Sequence, residues 1–129
     1  MTPIAVRDLA TEDGRTVTIE IYAPEPDPDD AHGGTRCAFR LSGAIDVQRY
    51  ARGEDALQAL TIAFQGLRKY IDDSGLVLTW GEMETGDHGV PLLVLRIFGL
   101  QFTRELEAEI DRRMVAHRPL SAPPLDDDE

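Results

Sequence analysis

Hydrophobic and polar positions along this 129-residue chain follow two different periods. Val17, Ile19 and Ile21 alternate with Thr16, Thr18 and Glu20, and Cys37, Phe39 and Leu41 alternate with Arg36, Ala38 and Arg40. A period of two, rich in β-branched and aromatic residues, predicts two half-buried strands, the second ending at Gly43. A less regular apolar segment at 4–9 precedes them across an Asp13-Gly14 turn, and a further short strand is expected over 45–50. Between the two clear strands, residues 23–34 hold Pro24, Pro26, Pro28, Gly33 and Gly34, a density of breakers that predicts a loop without strand or helix.

From 55 to 72 the period lengthens. Leu57, Leu60, Phe64, Leu67 and Ile71 recur at three- and four-residue spacing, flanked by Ala56, Ala59, Ala63 and Tyr70, and Gln58, Thr61, Gln65, Arg68 and Lys69 take the opposite face. This predicts an amphipathic helix with Glu54 and Asp55 at its positive end, Arg68 and Lys69 towards its negative end, and Gly75 as its stop. Strands are expected at 76–80 and 91–98, joined by a polar loop at 82–89. The 91–98 run is apolar on both faces apart from Arg96, as in a strand covered on both sides, by the helices or by the mate in a homodimer. A second helix is expected from Thr103 as N-cap, with a Leu106, Ile110, Met114 stripe and a Glu109–Arg113 pair.

The order β-β-β-(β)-α-β-β-α, with short connections, predicts an α+β fold: a mostly antiparallel sheet of five or six strands with two helices packed on it. Residues 1–118 read as a single domain, and 119–129, with three prolines and four terminal acids, as an acidic disordered tail. A 42% hydrophobic fraction suffices for a core at this length.

Charge changes the picture further. The net charge is −11, and Glu25, Asp27, Asp29 and Asp30 in the proline-rich loop, together with the acids at 126–129, account for eight of those charges. Such a balance argues against nucleic-acid binding, which relies on clustered Lys and Arg. It would steer the chain towards basic partners. No apolar run reaches the ~20 residues of a membrane helix, no signal-peptide pattern opens the chain, and the single cysteine rules out an internal disulfide framework. A cytoplasmic location is expected. One lysine against twelve arginines, with no asparagine, suggests a GC-rich bacterial genome.

The stretch 14–67 resembles a family of small bacterial domains of unknown function. The residues that carry the resemblance are Val17 to Ile21, Pro24, Pro26, Asp27, Cys37, Phe39, Leu41, Gly43, Tyr50, Gly53, Asp55 and Gln58-Ala59-Leu60. Thr35 and Arg36 stand where members of that family often carry a tryptophan. The resemblance implies a shared fold core and brings no activity or catalytic residues.

Candidate chemistry is sparse. Glu82, Glu84, Asp87 and His88 could hold a divalent metal or supply acid–base pairs, although a polar hairpin loop has the same composition by default. Asp27, Asp29 and Asp30 fail the EF-hand pattern, because Ala31 and His32 occupy its fifth and sixth positions. Cys37 shares an apolar face with Phe39 and Leu41 and reads as core. No phosphate loop, dinucleotide fingerprint or nucleophile elbow is present. These observations favour a non-catalytic protein-binding module, of the kind by which an immunity protein neutralises a basic partner, with Glu25, Asp27, Asp29 and Asp30 as binding candidates. No cofactor is expected. The alternative is a metal-assisted or acid–base enzyme using Glu82, Glu84, Asp87 and His88.

Overall fold

A computed structural model of the chain describes residues 2–93 and 98–117. They fall into two compact units, divided after Leu93.

The first unit begins with a hairpin. β1 (Pro3–Thr11) and β2 (Thr16–Tyr22) pair antiparallel, with Ala5 opposite Ile21, Arg7 opposite Ile19 and Leu9 opposite Val17. Its turn is tied by side chains: the Thr11 hydroxyl donates to the Asp13 carboxylate and accepts from the Arg15 N–H, and the Arg15 guanidinium closes on Asp13 at 3.0 Å. Those bonds to Thr11 and Arg15 hold the Asp13 carboxyl at a pKa of about 2. β3 (Glu25–Pro26), β4 (Thr35–Gly43) and β5 (Val47–Gly53) follow. After α1 (Ala56–Ser74) comes a short β6 (Leu78–Thr79). The sheet is antiparallel throughout and ordered β3-β4-β2-β1-β6, with β5 on the other side of β4. This is the α+β architecture that the two periods predict.

α1 starts where Asp55 accepts the Gln58 N–H at 2.8 Å, and it ends at Gly75. It packs on β4 and β5. Its buried spine is Ala59, Ala63, Leu67 and Ile71, with Leu60 and Phe64 half-buried beside it, while Leu57 is 74% exposed. The helix is therefore turned slightly from the predicted stripe, so that small residues face the sheet. Gly66 shows why: a Cβ there would stand 2.6 Å from Cζ of the buried Phe39 ring. The core joins this spine to Leu9, Val17, Ile19, Ile21, Cys37, Phe39 and Leu41. Cys37 is fully buried, its thiol donates to the Tyr22 carbonyl at 3.3 Å, and burial pushes its pKa up.

Several expectations need correction. The proline-rich loop does hold a strand, because Glu25 and Pro26 pair with Arg36 and Thr35 before the chain turns. The strand expected at 76–80 shrinks to two residues, since only Leu78 and Thr79 find partners on β1. Of the expected 91–98 strand, residues 91–93 are not in a strand, and 94–97, Arg96 included, lie outside the described residues. The expected tail at 119–129 lies outside them too.

The second unit contains α2 (Leu100–Ala116). Gly99, not Thr103, is its N-cap, and the Thr103 hydroxyl donates instead to the Gly99 carbonyl at 3.2 Å. Phe98 and Phe102 meet edge to face at 5.4 Å. Glu109 pairs with both Arg112 and Arg113, which confirms the expected i,i+4 contact.

Candidate functional site

The four acids of the proline-rich loop have different surroundings. Glu25 pairs with Arg36 at 2.8 Å, and the Arg36 guanidinium lies 4.2 Å from the centre of the Tyr50 ring. Asp27 is buried, accepts the Asp29 N–H at 3.0 Å and pairs with Arg52 at 2.9 Å. The Asp29 N–H first, and then Arg52, hold its carboxyl below the ordinary range. Asp30 accepts the N–H groups of His32 and Gly34. Asp29 extends into solvent at 3.8 Å from Arg52. Three of the four carboxylates thus fix the loop onto β4 and β5 or fold it on itself.

The 82–88 loop is a chain of turns. Met83 donates to the Trp80 carbonyl, Asp87 to the Glu84 carbonyl and Trp80 to the Asp87 carbonyl. Glu82 and Glu84 are exposed. The Asp87 carboxylate accepts the Gly89 N–H at 3.0 Å, and His88 Nδ1 accepts the Val90 N–H at 3.0 Å, which places the imidazole proton on Nε2 in the neutral ring. Burial first, and the nearby Arg68 next, lower the His88 pKa against the opposing pull of Asp72 and Asp87. The four side chains do not converge. Among the described residues no three His, Cys, Asp or Glu side chains gather as metal donors.

What the segment after this loop builds is a clamp on Arg7. Arg7 Nη1 donates to the Gly89 carbonyl at 3.0 Å and more weakly to that of His88, and its guanidinium stacks 3.4 Å from the centre of the Trp80 ring. Gly89 makes the approach possible at φ +68°, because a Cβ there would stand 2.8 Å from both Arg7 Nη1 and Trp80. Arg68 on α1 fixes the next residue, donating to the Val90 carbonyl at 2.7 Å. Beside the clamp lies a hollow of about 260 Å³, floored by Ile19 and Ile21, walled by Phe64 and Leu67, and bordered by Val90 and Arg7.

The opposite side of β1 offers a surface of another kind. One edge of the strand pairs with β2 along its length, while the other meets β6 only at Ala10 and Thr11. Among the described residues nothing pairs with that second edge from Pro3 to Leu9. Val6, which also borders the hollow, and Ile4 at the bulge between Pro3 and Ala5 are each 57% exposed.

Neither feature shows in the pattern of the sequence. The signal for the clamp was a cation at an alternate position between Ala5 and Leu9, which makes 4–9 look irregular instead of revealing an inward-facing arginine.

A family model described as "Domain of unknown function (DUF6968)" matches residues 5–92. That span takes in the hairpin, both edges of the sheet, α1 and the whole Arg7 clamp. No curated protein and no solved structure matches the chain.

Proposed function

Since the chain belongs to that family of domains of unknown function, we propose that it is a non-catalytic protein-binding module that receives an extended segment of a partner along the free edge of β1. The observation that carries this reading is the edge from Pro3 to Leu9, unpaired among the described residues and flanked by exposed Ile4 and Val6. An open edge presents backbone donors and acceptors ready for another strand, and strand addition is a recurring mode of protein recognition. The net charge of −11 favours a basic partner and fast association at low salt, as in the neutralisation of a basic toxin or effector. Because Glu25 and Asp27 are answered by Arg36 and Arg52, the attraction rests on the charge of the whole chain more than on the proline-rich loop.

The test is affinity capture from lysate of the native host at low and high salt, with the native chain and with Val6→Lys. One stoichiometric basic protein, released by salt and not retained by Val6→Lys, supports the module. Capture of nothing stoichiometric, or of a partner indifferent to both changes, removes the proposal.

A further inference from the structure

The inner face of the sheet is covered unevenly. α1 packs over β4 and β5, whereas the inner side of β1 is met by residues 88–91. Between these covers, among the described residues, lies the hollow of about 260 Å³. A cavity of about 150 Å³ holds a benzene ring, so this one has room for a ligand of roughly ten heavy atoms on the same scale.

The border of the hollow carries a fixed cation. Arg7 occupies an inward position on β1, where alternation would put an apolar side chain to close the core. Its Nη1 serves two backbone carbonyls and one guanidinium face lies on Trp80, while Nε and Nη2 have no partner among the described residues. The chain has 24 acidic residues, yet no described carboxylate pairs with Arg7. Arg68, which holds the adjoining segment, has no carboxylate partner there either. An immobilised guanidinium with free donors beside an apolar hollow is suited to planar recognition of a carboxylate, and pockets of this kind pair apolar walls with a few placed polar groups.

We infer that the hollow beside Arg7 binds a small amphipathic carboxylate, its apolar body against Ile19, Ile21, Phe64 and Leu67 and its carboxylate on the Arg7 guanidinium. The inference does not need a strand to be received at the β1 edge, although Val6 also borders the hollow.

Octanoate is a suitable probe, and Trp80, the chain's single tryptophan, reports from the clamp itself. Titration with octanoate is expected to change Trp80 emission saturably, with 1-octanol binding about tenfold more weakly or worse, as loss of a charge-assisted bond implies. Arg7→Met should bring octanoate down to the affinity of octanol, with folding checked by thermal melting. Ala5→Phe, which fills the hollow from an exposed position and leaves Arg7 in place, should abolish binding of both. The inference is overturned if octanoate gives no saturable change, if octanoate and octanol bind the native chain equally, or if a folded Ala5→Phe chain still binds octanoate.

Discussion

At the scale of single residues, position in the packed structure decides what a side chain does, and only part of that is local in sequence. Cys37 was legible because its role follows from alternation with Phe39 and Leu41. Asp27 was not, because its cation, Arg52, lies 25 residues away on β5. Since the Asp27 carboxyl is held below its ordinary value of 3.8, its contribution to stability is complete above that pH and is lost as pH falls through the lower, folded-state value. Asp27→Asn is therefore expected to lower the melting temperature at neutral pH, and the gap from the native chain should close as the pH is taken below 3.8. A gap that persists unchanged into acid would show that the charge is not what Asp27 contributes. Gly66 gives a second case in which sequence rules and packing point in opposite directions. Helix propensity alone says that Gly66→Ala should stabilise α1 by about 1 kcal/mol. The added methyl, however, would meet the buried Phe39 ring at 2.6 Å, and overpacking of this kind costs about 1–3 kcal/mol. Net destabilisation is expected, read as a lower denaturant midpoint with unchanged slope.

At the scale of elements, legibility followed the length of the repeat. α1 shows its pattern over five turns, so its existence and C-terminal stop could be read directly. Its rotation could not, because the sheet selects the alanine spine through the fit of Gly66 against Phe39. Short strands fared worse: Glu25–Pro26 is hidden among breakers and the strand expected at 76–80 is only Leu78–Thr79, because pairing with β4 and β1 sets what no local pattern records. The N-terminus of α1 makes this testable in isolation. Asp55 accepts the Gln58 N–H while the Gln58 amide oxygen accepts the Glu54 N–H at 2.7 Å, an exchange close to a capping box. Asp55→Ala should cost about 1 kcal/mol by urea denaturation, and Asp55→Ser should recover most of it. Equal losses in both variants would locate the effect outside the cap.

At the scale of the whole molecule, the same β1 strand faces in two chemical directions, and the net charge governs what can approach either. Inward, the Arg7 clamp is invisible to sequence patterning because its parts come from β1, Trp80 and the 88–90 segment, more than 70 positions apart. Outward, an edge unpaired among the described residues, beside exposed Ile4 and Val6, would invite chain-to-chain pairing. A net charge of −11 opposes that by mutual repulsion. The sequence isoelectric point near 4.6 sets where this protection ends. As the pH approaches that value, light scattering should show reversible self-association of the native chain, most pronounced at low ionic strength. If the β1 edge is the contact, Val6→Lys should suppress the association even when pH is adjusted to the variant's own isoelectric point, because a lysine on an edge strand repels its copy directly. Association of Val6→Lys equal to that of the native chain at matched net charge would place the contact elsewhere on the surface, and would weaken the case for the edge as the binding surface of this module.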